Sequence, residues 1–216
     1  MSGPRLDGTD DRRIGLVLVC CLAALAGAVD ACGISVLKDL YVSFMSGNTT
    51  SLGQALGRGD WARAWLIVGI VATFVAGAAA GTVVARLAGR LHLPVVIAFV
   101  AAVLVVPVIA VAWEVAAMTF AMAALNASMQ RAGALRVSLT FVTGALVTFG
   151  RGLGDFLCGD GGDFGWALQL VPWIGMLAGA TVAAWCVVRF GDVTFAALPV
   201  VAAVLAVAAW FTVPEA

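Results

Sequence analysis

Six long apolar runs constrain this chain more than any other feature. They are Ile14–Val36, Ala64–Ala85, Leu93–Trp113, Val115–Gln130, Trp166–Val188 and Val193–Val213. About 20 mainly apolar residues are enough to cross about 30 Å of hydrocarbon as a helix. Only Val115–Gln130 is short of that, and its junction with the preceding run holds neither Gly nor Pro. Prolines 94, 172 and 199 fall near the predicted helix starts, where a missing N–H costs little, and Pro107 falls inside the third run, where it predicts a kink. The chain is 63% hydrophobic and 11% charged, against about 45–50% and about 25% for a soluble domain. Such a sequence cannot bury its apolar surface in its own core. The expectation is an all-α polytopic membrane protein with about six transmembrane helices and the lipid bilayer as its first partner.

The same composition excludes several functions. Net charge is zero and the basic residues are scattered, so nothing marks a nucleic-acid footprint. Five cysteines occur with no C-x-x-C, and His92 is the single histidine. That leaves no metal set, and no motif for a nucleophile, a cofactor or a phosphate-binding loop. No catalytic residue, metal or cofactor is expected. Arg12-Arg13, an apolar run and Ala26-Gly27-Ala28 together mimic a signal peptide. However, "AVDA" (28–31) is echoed by "ALNA" (124–127) deep in the chain, which favours a retained first helix.

That echo belongs to a wider repeat. The polar block "FMSGNTTSLGQALGRGD" begins at Phe44, and "FVTGALVTFGRGLGD" begins 97 residues later at Phe141. Gly53-x-x-x-Gly57 matches Gly150-x-x-x-Gly154, and Gly77-x-x-x-Gly81 matches Gly175-x-x-x-Gly179. "VAAVLVV" (100–106) matches "VAAVLAV" (201–207). Each copy holds one run, a polar block and two more runs. If the blocks do not cross, three crossings per copy place the second copy in the membrane upside down. The reading is a 3+3 inverted repeat: a tail over 1–13, one repeat over 14–113 and the other over 114–216. Charge agrees. With six crossings and an inner N-terminus, eight Lys/Arg fall inside and four outside, whereas eight crossings split them six and six. The expected location is a cell inner membrane with the N-terminus cytoplasmic.

Inverted repeats in transporters place binding sites at the repeat interface, near the midplane. The polar blocks are then re-entrant half-helices, with Ser46 or Asn48 capping the first and Thr143 the second. Their N-termini would point inward, where free N–H groups suit an anion or the carbonyl oxygen of a small solute. The candidate site is Asp30, Ser46, Gly47, Asn48, Thr49, Asn126, Thr143 and Gly144. Asp30 is an acid inside an apolar run, and Asn126 is its counterpart in the second copy. Two bland readings stand beside these. The hydroxyls can bond back to their own helices, and Asp30 can pair with Lys38 at the membrane surface instead of carrying a coupling proton.

"GAVDACGISVLKDLYVSFMSGNTTSLGQALGRGDW" resembles the signature of the YoaK-like family of bacterial inner-membrane proteins, a domain of unknown function numbered 1275. Asp30-Ala31, Phe44, Gly47-Asn48 and Leu52-Gly53 match it, with Ser46 in place of the usual Thr. Asn126-Ala127 and Thr143-Gly144 match the family's second motif. The resemblance implies a polytopic bacterial membrane protein and supplies neither substrate nor catalytic residues. The functional expectation is a transporter or channel-like protein for a small solute. The alternatives are a membrane sensor, a scaffold that works as a homo-oligomer or with a partner, and, least favoured, a membrane-embedded enzyme. An aquaporin-like plan is similar in outline, but neither block contains Asn-Pro-Ala.

Overall fold

The computed structural model describes residues 8–129, 142–159 and 164–212. Among them the chain is helical, with no strand. Helix α1 is Gly8–Leu37, α2 Met45–Gly57, α3 Trp61–Ala88, α4 His92–Val103, α5 Val106–Ile109 and α6 Glu114–Met129. Helix α7 is Val142–Leu157, α8 Leu170–Phe190 and α9 Val193–Trp210, with a 3-10 segment at Phe164–Gln169 leading into α8.

Five stretches are long and apolar enough to cross a membrane: Ile14–Leu37, Trp61–Ile109, Val111–Met129, Phe164–Phe190 and Val193–Trp210. The second, 49 residues long, is two crossings in one. Helix α3 ends at Gly89, whose φ of 56° is open to glycine without strain, and α4 returns against α3. The third expected run is broken rather than kinked. Helix α4 stops at Val103, the residue whose carbonyl Pro107 can neither bond nor clear, and α5 restarts around the proline. The extended residue between the two halves is Ala110, not the expected Trp113-Glu114 junction.

Helix α2 has 13 residues and α7 has 16, about 20 and 24 Å at 1.5 Å per residue. Over the described residues, neither reaches across about 30 Å of hydrocarbon. An ion pair shows where the first one goes. Asp39, just past the end of α1, binds Arg63, in the first turn of α3. The end of α1 and the start of α3 therefore share one membrane face, α3 runs antiparallel to α1, and α2 returns to the face it left.

Pairing follows the repeat. Helix α1 packs on α8, and α6 packs on α3; α1 on α9 is matched by α6 on α4. Helix α2 lies on α3, and α7 on the 3-10 segment and α8. Exchanging the two halves leaves this scheme unchanged. Glycines make the two closest crossings. A Cβ on Gly77 or Gly81 would strike the backbone of Phe120 or Ala124 in α6. One on Gly175 or Gly179 would strike that of Cys20 or Ala24 in α1. Because the contacts advance in the same sense along both partners, each of these pairs is parallel. The core between the halves is aliphatic, with Leu22, Val29, Ile97, Val100, Met118 and Met122 fully or almost fully buried. A smaller cluster of Leu40, Ile67 and Ile70 seats α2 through Met45 and Leu52.

Candidate functional site

The reversal after α1 uses Lys38, whose φ is 64°. Lys38 is thus a turn residue, and Asp30 is held by Ser43 instead. The Ser43 N–H donates to Asp30 Oδ1 at 3.0 Å, and the Ser43 hydroxyl donates to Oδ2. Both residues are buried, at 4% exposure each. Asp30 lies seven residues before the end of α1, about 10 Å along its axis. Ser43 must lie at the same depth, so residues 38–43 descend into the protein and α2 climbs back out. Gly33 permits the descent: a Cβ there would stand 2.6 Å from Val42 Cγ1.

Asn48 fixes the bottom of this hairpin. It is fully buried; its Oδ1 accepts from the Tyr41 N–H at 3.0 Å, and its Nδ2 donates to the Tyr41 carbonyl at 2.6 Å. The side chain thereby supplies an extended segment with the pairing a neighbouring strand would give, satisfying groups that lipid-depth burial would otherwise orphan. Tyr41 in turn stacks edge-on against Phe44, with centroids 5.5 Å apart.

A cavity of about 510 Å³ opens beside Asp30. Asp30, Tyr41, Phe44, Val142, Met176 and Thr181 lie on its walls. Phe44 is the residue before α2 and Val142 is the first of α7. The N-terminal ends of both half-helices therefore meet one cavity, although neither their sequence separation nor their membrane faces bring them together. Helix α7 runs down beside α8, with Phe149 on Trp166 and Phe156 on Phe164. This antiparallel course brings its start to the middle of α8.

Of the candidate residues, Asp30 alone is among those lining this cavity. Asn48 serves Tyr41. Ser46, Thr49, Thr143 and Gly144 are exposed on the half-helices, Gly47 is half-buried beneath the Phe44 ring, and Asn126 is buried in α6. The expected caps are also displaced. Helix α2 begins two residues before the point a Ser46 cap would set, with Phe44 as N-cap and no side-chain cap bond, and Thr143 lies inside the first turn of α7. The hydroxyls take the bland option: Thr49, Thr50 and Thr148 donate to the carbonyls of Met45, Ser46 and Gly144. Tyr41 and Ser43 were not among the candidates, and Phe44 entered only as the first residue of the polar block and as part of the family signature. Ser43 immediately precedes the polar block, 13 positions from Asp30, and nothing in the sequence pairs the two.

Two half-helices entering from opposite halves onto a buried acid, inside a two-fold pairing of helices, define a polytopic membrane protein built on an internal repeat. Comparison with known proteins gives the family. A family model described as "Protein of unknown function (DUF1275)" matches residues 18–211, and the chain belongs to that family. It is also similar to the "UPF0700 transmembrane protein RA0705" of Rhizobium meliloti (strain 1021). The two are 41% identical over 205 residues, covering 94% of this chain and 88% of that one. No solved structure matches the chain.

Proposed function

We propose that this protein is a transporter for a small solute, embedded in a cell inner membrane with its N-terminus in the cytoplasm. The single observation behind this reading is the cavity where Asp30 and the starts of α2 and α7 converge. A carboxylate inside a membrane span is costly and usually faces a partner, a path or a cavity. Non-helical backbone at that depth survives only within protein or beside a watery space, and residues 38–44 are of this kind. Half-helices that stop at mid-depth divide the route into an outer and an inner part, and the two-fold pairing offers each half as the mirror gate of the other. The arginine distribution supports the orientation.

The test needs no knowledge of the solute. In a background with the five native cysteines replaced, Ala31→Cys puts a thiol on the cavity wall. A transporter should expose it to a membrane-impermeant thiol reagent from both faces, in right-side-out and in inverted vesicles. Labelling from one face only, or from neither, refutes the proposal and leaves a sensor or a scaffold.

A further inference from the structure

We infer that the cavity at Asp30 takes a small organic cation, an amine or quaternary ammonium carrying an apolar body. The inference rests on the cavity being the solute site, and it specifies the chemistry of what enters.

Half-helix N-termini alone argue for an anion. A helix end carries about half a positive charge. At this cavity it is set against a full carboxylate. The residues of α2 whose free N–H groups would meet an anion, Met45, Ser46 and Gly47, are not among those lining the space. Phe44, which precedes them, is. Gly47 explains the arrangement: a Cβ there would stand 2.8 Å from Phe44 Cδ1, so the glycine lets the ring lie across the first turn of α2. The ring thus separates the positive end of α2 from the cavity. Among the described residues, Asp30 is the one charged residue in the lining.

The remaining walls match the rest of such a ligand. Tyr41 and Phe44, an edge-on aromatic pair, line the same cavity as the carboxylate, and aromatic rings with an acid are the combination that recognises alkylammonium groups. Ile34, one turn on from Asp30 in α1, and Met176, Ala180 and Ala184 of α8 supply an apolar surface. The Thr181 hydroxyl is committed to the Leu177 carbonyl at 2.7 Å and adds little polarity. Ser43 uses its N–H and O–H to orient the carboxylate, which leaves the remaining lone pairs for a ligand N–H or for direct charge attraction. About 510 Å³ is within the usual range of about 300–1,000 Å³ for a small-molecule site.

The probe is benzyltrimethylammonium, measured by calorimetry on the protein in lipid nanodiscs with empty nanodiscs subtracted. Neopentylbenzene, of the same shape without the charge, and benzylsulfonate are the competitors. One saturable equivalent of the cation is expected, with neither competitor displacing it. Asp30→Asn should weaken binding by about tenfold or more, and Phe44→Leu by several-fold. Equal competition by the neutral or anionic compound overturns the inference in the wild-type protein, whether or not a variant folds. Unchanged affinity in a folded Asp30→Asn protein also overturns it. Two-sided labelling of Ala31→Cys without cation preference would sink this inference and leave transport standing. Cation binding with one-sided labelling would do the reverse.

Discussion

Gly81→Ala tests the packing at one of its closest points. The added Cβ would stand 2.5 Å from Ala124 Cα and 2.5 Å from its carbonyl oxygen. Carbon atoms pack best at about 3.5–4.0 Å, so the approach is short by about 1 Å or more. Both atoms belong to the α6 backbone, and no flexible side chain can give way. The helices must part, and a gap of that size forfeits about a quarter to a half of each contact energy around the crossing. Overpacking of this kind costs about 1–3 kcal/mol, and backbone against backbone belongs in the upper part of that range. Gly53→Ala is the control. It sits in α2 within the same G-x-x-x-G spacing, yet a Cβ there meets nothing within 4 Å. It should be neutral, or stabilising by up to about 1 kcal/mol through helix propensity. Unfolding both variants in mixed micelles by titrating in dodecyl sulfate, followed by fluorescence of the seven tryptophans, should separate them by about 2 kcal/mol or more. If Gly81→Ala is as stable as Gly53→Ala, the crossing of α3 and α6 is not as close as described. If Gly53→Ala is the damaging one, another surface covers α2.

Asn48→Ala should destabilise by about 1–3 kcal/mol in the same titration, because it strands the N–H and carbonyl of Tyr41. Thr49→Ala, whose hydroxyl is exposed and bonds its own helix, should stay within about 0.5 kcal/mol. In a cysteine-free background, Asp39→Cys with Arg63→Cys should be bridged by a short bis-maleimide, since the native side chains touch; no bridge would mean that α2 crosses the membrane. Single cysteines in place of Gly59 and Arg90 should react with an impermeant reagent from opposite faces. Reaction from one face would return the fold to eight crossings.

The spans were legible because lipid solvation writes a simple rule, about 20 apolar residues per crossing. The half-helices were legible because the same rule fails over Phe44–Asp60. The inverted plan followed from counting three crossings per copy. Of the candidate residues, only Asp30 lies on the cavity. Its partner Ser43 is 13 positions away, and a left-handed turn at Lys38, which no sequence signal marks, brings the two together. Asn48 was placed on the wrong side of its own segment. An amide that pairs with a backbone and one that lines a path have the same sequence signature, and only the register of residues 41–44 distinguishes them. The G-x-x-x-G spacing likewise showed a small face four times without showing where another helix approaches. It is filled on α3 and α8, which lie between the halves, and at Gly53, Gly57, Gly150 and Gly154 a Cβ meets nothing nearby.

The exchange of partners between halves also dictates an order of assembly. Ala24 waits for Gly179, and Gly77 and Gly81 wait for Phe120 and Ala124. At about 5–20 residues per second of synthesis, the first helix spends on the order of ten seconds in the bilayer before its closest partner exists. During that interval its small-residue face is open to lipid or to a neighbouring chain. Either half made alone keeps an unfilled notch for life. Severed in the connection around Ala110 and co-expressed, the two pieces should find each other, because each is the missing mould of the other.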